Sequence, residues 1–200
     1  MTHLASVLTN PELNPGNGLA FFGWMRLAPG EEHFKTLVLN EWFNFDLPGQ
    51  YQINVAFKQP ATVGREKVPI PQFTLVLDIT PRNEEQLTAT CERLVKRFEG
   101  DASGDDRAAI PVALRLIRDP ELVPLWERTL TSANQEIREI GISNLTHIRN
   151  RDAIKALSHA LRSEDQQTRS LARSALRQIT IIASDPSIKT EAENALHQPE

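Results

Sequence analysis

The feature that most constrains this chain is a repeat. From Ser103 to Gln178 the sequence returns on itself at a fixed interval. Ser103, Asn134 and Asp165 stand 31 residues apart (165 − 134 = 134 − 103 = 31). Arg107, Arg138 and Arg169 keep the same register, as do Leu114, Leu145 and Leu176, and Ile117, Ile148 and Ile179. An interval of this length holds two short helices and a turn. One such pair cannot bury its apolar faces alone, but a stack of pairs can. The expected product is a short α-solenoid, an architecture that presents a surface to another macromolecule.

Each unit repeats its punctuation as well as its apolar positions. Ser103, Asn134 and Asp165 are N-cap types placed just ahead of a helical pattern. The first helix carries Ala109/Ile140/Leu171, then the registered leucines and isoleucines. A turn follows, Arg118-Asp119-Pro120 or Arg149-Asn150-Arg151-Asp152. The second helix carries Val123/Ile154, Trp126/Leu157 and Leu130/Leu161. The third unit reads with a longer connection, Ile182 to Pro186, and ends in a more polar helix, Ser187 to His197, as a capping unit should. Ahead of the repeats, Asn83 caps a helix whose stripe is Leu87, Cys91, Leu94, Val95 and Phe98, stopping at Gly100.

The first 80 residues read differently. Met1 to Asn17 is turn-rich arm. Leu19 to Leu27 and His33 to Phe43 read as strands. Tyr51 to Lys58 alternates apolar and polar residues at the period of a sheet with one dry face. Gln59 to Pro71 reads as a proline-bearing loop. Phe73 to Ile79 alternates again, with Phe73, Leu75, Leu77 and Ile79 inward and Val76 interrupting the polar face. Strands in series without intervening helices point to an antiparallel sheet. The domain boundaries expected are therefore 1–80 for the β segment, 81–100 for a linking and capping helix, and 101–200 for the solenoid.

Composition narrows the function classes. The 200 residues carry a formal net charge of −4, which disfavours nucleic acid as a partner. No apolar run approaches the roughly 20 residues of a membrane-spanning helix, and Met1 to Asn17 lacks the pattern of a signal peptide. As written the chain is expected in the cytoplasm. Upstream sequence with a signal peptide would move it to the periplasm or outside the cell. The histidines, His3, His33, His147, His159 and His197, never pair at helical metal-ligand spacing with one another or with Cys91. No catalytic constellation, cofactor loop or metal site is expected, so the chain reads as a non-enzyme.

Two resemblances sharpen this reading. Asp46-Leu47-Pro48-Gly49-Gln50-Tyr51 resembles the tyrosine corner of immunoglobulin-like sandwiches, in which a tyrosine at a strand start bonds back to the preceding turn. The four strands read here fall short of the about seven of a full sandwich, so the segment is either abbreviated or lacks upstream strands. Asn134-Gln135-Glu136-Ile137-Arg138 and Asp165-Gln166-Gln167-Thr168-Arg169 resemble the Asp-x-x-Val-Arg opening of HEAT repeats of the short bacterial, phycobilisome-lyase-like type. Together they imply an α+β chain: a small antiparallel immunoglobulin-like β segment, then HEAT-like helix pairs. The family resemblance implies a protein-binding scaffold. Its subtype implies, as the alternative, a lyase or chaperone acting on a pigment or its carrier protein.

Candidate functional residues follow from position. In HEAT-like stacks the second helices line the concave face, and here their polar positions are Glu127, Arg128, Lys155, Ser158, His159 and Arg162. These form the expected surface for a protein or peptide partner. Arg107, Arg138 and Arg169 are expected to form a structural ladder that fixes the stacking through carboxylates or helix-end carbonyls. Self-association through an unpaired β edge is the further mode of partnership.

Overall fold

A computed structural model describes residues 38–41, 45, 47–55, 61–63, 66–69, 72–100, 102 and 104–197. The expected arm and first strand, and the start and end of the expected second strand, lie outside these residues. The described residues fall into two compact units, one within Leu39–Arg82 and one of Val38 with the residues from Asn83 onward.

The N-terminal unit is built on one antiparallel pair. Strand β1, Gly49–Val55, pairs with a later strand, Phe73–Ile79, with Tyr51 opposite Leu77 and Ile53 opposite Leu75. Between them a small hairpin joins β2, Ala61–Val63, to β3, Glu66–Val68, so Phe73–Ile79 is β4. The sequence reads as loop there because three-residue strands are too short to show alternation. The polar face of β1–β4 is laced by opposed side chains: Gln50 donates to Asp78 at 3.2 Å, and Thr74 donates to Asn54 at 2.7 Å. Ile53 is buried on the other face, but Phe73 and Leu75, expected inward, are 48% and 40% exposed. Leu39–Glu41, within the expected second strand His33 to Phe43, forms a 3-10 turn instead.

The turn before β1 follows its sequence. The Tyr51 hydroxyl donates to the Leu47 carbonyl at 2.7 Å, and the Phe45 and Tyr51 rings meet edge to face with centroids 5.1 Å apart. Gly49, at φ +148°, takes a backbone shape that a side chain would strain.

The helical unit opens with α1, Glu84–Glu99, capped by the Asn83 side chain and ended at Gly100. Cys91, Val95 and Phe98 of its stripe are buried. Helix α2, Gly104–Arg115, leads through a 3-10 turn, Pro120–Leu122, into α3, Val123–Thr129. Helices α4, Gln135–Ile148, and α5, Arg151–Ala160, form the second unit, and α6, Gln166–Ile182, and α7, Pro186–Leu196, the third. The Asn134 and Asp165 caps form as the repeat requires; Ser103 lies outside the described residues.

The helices stack in two layers. Helices α2, α4 and α6 pack side by side in one, and α3, α5 and α7 in the other. The registered residues fill the space between them: Leu114, Leu145 and Leu176 are fully buried, as are Trp126, Leu157 and Ile179. The third connection is shorter than its sequence implies. Helix α6 runs on through Ile182, leaving only Ala183, Ser184 and Asp185 before α7. Nothing in Ile179–Ile182 breaks a helix, and the stop is supplied by Pro186 at the start of α7 behind its cap Asp185.

Candidate functional site

Helix α5 is where the expected surface residues gather. Arg149, in the left-handed conformation at φ 51°, ends α4, and the Asn150 side chain accepts from the Ala153 amide at 2.8 Å to start α5. The helical period then sorts its side chains. Ala153, Ile154, Ala156, Leu157 and Ala160 face the core, while Arg151, Lys155 and His159 are exposed on the opposite stripe. Ser158 is half-buried and turns its hydroxyl back to the Ile154 carbonyl at 2.8 Å.

Two grooves flank this helix. The groove between α3 and α5, about 390 Å³, is lined by Val123, Pro124, Glu127, Asp152, Lys155 and His159 among others. The groove between α5 and α7, about 400 Å³, is lined by Arg151, Lys155, Ser158, Arg162, Glu191 and Asn194 among others. Lys155 and His159 reach both, so α5 is the ridge between them. Of the residues expected on this surface, Glu127, Lys155, Ser158, His159 and Arg162 line one groove or both. Arg128 lines neither and pairs with Glu92 of α1.

The two grooves differ electrostatically. His159 Nδ1 lies 2.8 Å from the Glu127 carboxylate, so the α3–α5 groove is closed by its own pair. In the α5–α7 groove Arg151 meets Glu191 at 3.5 Å. Lys155 and Arg162 have no carboxylate in ion-pair range among the described residues.

Of the three registered arginines, Arg138 and Arg169 bond at the joints between units. Arg138 donates to the Ser132 and Ala133 carbonyls at 2.7 and 3.2 Å, and lies 3.7 Å from the Asp165 carboxylate of the next unit. Arg169 donates to the Ser163 and Glu164 carbonyls at 2.7 and 2.8 Å. Arg107 is exposed, with its guanidinium carbon 6.0 Å from the Phe98 ring centroid. Ser132 and Ser163 were not singled out from the sequence. Each hydroxyl accepts from the amide of its cap, at 3.1 Å for Asn134 and 3.2 Å for Asp165. The repeat register carried that signal, since the two serines stand one interval apart.

Residues 91–179 match the family model of HEAT repeats. Over these residues the helical unit is similar to an array of HEAT repeats. The match begins within α1 and ends within α6. Comparison of the whole chain with curated proteins found no match. Among the described residues no helix is long and apolar enough to cross a membrane.

Cys91 belongs to the core of this array. It is fully buried, and burial, with a smaller push from the Asp119 carboxylate, raises its thiol to about 11. A thiol so placed is a poor nucleophile at neutral pH.

Proposed function

We propose that this protein is a non-enzymatic scaffold that holds a protein or peptide against the α3–α5–α7 layer of its HEAT array. HEAT repeats generally serve as protein-interaction scaffolds. One observation carries the reading for this chain. The α5 stripe of Arg151, Lys155 and His159 stands exposed between two grooves, while the residues that repeat are consumed by caps, core and joints. The scaffold does not require the charges of Lys155 and Arg162, because the positions one interval before them are Pro124 and Thr131.

The test is affinity capture with the full chain, comparing wild type with a Lys155→Ala/Arg162→Ala variant and with Arg177→Ala on the other layer as control. At least one partner bound by wild type and by the control is expected to be lost from the double variant. An unchanged set of partners refutes this surface.

For the N-terminal unit we infer an immunoglobulin-like origin. The Tyr51–Leu47 bond and the antiparallel β1–β4 pair support it. An experimental structure in which the N-terminal unit forms two facing sheets is the expected result, and a lone β1–β4 pair would refute it.

A further inference from the structure

We propose that the α5–α7 groove takes an extended peptide segment bearing two acidic side chains three or four residues apart. This rests on the scaffold reading and adds the chemistry of the occupant. Charge separates this groove from its neighbours. The groove beside α1 is lined by Glu84, Glu85, Glu92 and Glu121 with no basic residue. The α3–α5 groove joins its Glu127 to His159. The α5–α7 groove carries Arg151, Lys155 and Arg162 against Asp152 and Glu191, a net positive site on a chain of net charge −4. The Arg151–Glu191 pair neutralises one end. Lys155 and Arg162 are left to meet an outside anion.

Spacing selects the form of that anion. Lys155 and Arg162, the two cations with no carboxylate in range among the described residues, stand seven residues apart, a rise of about 10 Å along the helix. Residues three apart in an extended chain are separated by about 10 Å. The two spans therefore match, and long lysine and arginine side chains absorb the remaining difference. From Arg151 to Arg162 the stripe covers roughly 16 Å, the length of about five extended residues. Ser158 and Asn194 lie in the same groove and are suited to the uncharged positions and backbone of such a segment. The acidic groove beside α1 repels the same segment, which fixes where along the layer it can settle. A nucleic acid would lay its phosphates along the whole layer and meet that acidic groove.

The experiment pans a random peptide display library on the intact protein and on a Lys155→Glu/Arg162→Glu variant. Circular dichroism confirms that the variant folds, and Lys155→Gln/Arg162→Gln serves if it does not. Wild type is expected to enrich peptides with two Asp or Glu residues three or four positions apart. A synthetic copy of the leading peptide is expected to lose roughly tenfold or more in affinity for the charge-reversed variant, and to weaken as salt shortens the screening length below about 8 Å. Enriched peptides without an acidic bias, or acidic peptides that bind the variant equally, overturn the proposal and leave the scaffold standing. Displacement of the peptide by a single-stranded oligonucleotide at equal concentration also overturns it, in favour of a nucleic-acid site. Enrichment of no peptide at all sinks this proposal and the scaffold reading together.

Discussion

Gly141 is the position at which helix propensity and packing give opposite signs. It lies in the middle of α4, where alanine in place of glycine ordinarily stabilises by up to about 1 kcal/mol. A Cβ built on Gly141 would stand 2.1 Å from the Thr129 hydroxyl, 3.0 Å from the Trp126 carbonyl oxygen and 3.2 Å from a Leu130 methyl. The hydroxyl cannot swing away freely, because it is buried and donates to that same carbonyl at 2.7 Å. Overpacking of this kind costs about 1–3 kcal/mol. After the propensity gain, Gly141→Ala is expected to destabilise the array by up to about 2 kcal/mol. The next joint shows the remedy. One interval on, Thr129 becomes Ala160 and Gly141 becomes Ala172, and both alanines are buried. Thr129→Ala alone loses a buried hydrogen bond and is expected to cost about 1 kcal/mol. The double variant rebuilds the pair found between the second and third units and is expected to lie close to wild type, a coupling of about 1–3 kcal/mol in a double-mutant cycle. The assay is urea unfolding followed by helical circular dichroism. If Gly141→Ala raised the midpoint, α3 and α4 would not approach as closely as described, and the reasoning would fall.

Further outcomes follow from single groups. Asn144 is fully buried and donates to the Leu114 carbonyl at 2.9 Å, tying α2 to α4; Asn144→Leu removes that bond, leaving the carbonyl its 3.3 Å bond from the Ile117 amide, and is expected to cost about 1 kcal/mol in the same assay, with no loss arguing that the bond is dispensable. Cys91 is expected to resist an aromatic disulfide reagent at pH 8 until the array unfolds, and rapid stoichiometric labelling of native protein would contradict its burial. Because its thiol is raised from 9 to about 11 when folded, the neutral form is favoured by folding, so stability is expected to fall as pH rises from 9 towards 11; Cys91→Ala should lose this component of the pH dependence. Asp165 and Asp185 are held below the usual carboxylate value chiefly by their side-chain bonds to Thr168 and Ser187. Their contribution is present above the ordinary carboxylate pKa and lost as pH falls through the lowered one, so a double Asp→Asn variant is expected to flatten the acid limb of an unfolding-versus-pH curve.

The helical half was legible because its signals recur. Caps at Asn134 and Asp165, leucines at 114, 145 and 176, and the punctuation at Gly100 and Asn150 each specify a local event, and the repeat interval checks one unit against the next. What the interval could not convey was residue pairing between elements. Arg128 reads as a surface arginine, yet it is taken by Glu92, a residue of α1 and outside the repeat. Gly141 reads as a weak point in a helix until Thr129 is placed against it. The end of α6 was misplaced because the signal lay in Pro186 and its cap, not in the isoleucines before them. In the N-terminal unit, alternation found β1 and β4, which are long enough to show a period, and missed the hairpin between them, whose strands are not.

The same distinction bears on where specificity can reside. A stacked array tolerates any exposed residue at positions that contact neither the neighbouring unit nor the turn, so those positions drift unless something outside the chain constrains them. Along the second helices, Pro124 is followed by Lys155, Glu127 by Ser158, Arg128 by His159 and Thr131 by Arg162. The core positions between them stay apolar, with Trp126 followed by Leu157 and Leu130 by Leu161. The two registered rows therefore share a backbone and differ in charge, and the difference falls across the ridge of α5. A neutral exchange of Lys155 and Arg162 for Pro124- and Thr131-like residues is ruled out at Lys155, since proline in the interior of α5 would break it. Threonine at 162 is permitted in the turn after α5. Arg162→Thr thus copies the first unit without harming the array: thermal unfolding is expected to move little, while binding to the α5–α7 groove is expected to weaken. A large fall in stability would mean that Arg162 belongs to the scaffold after all.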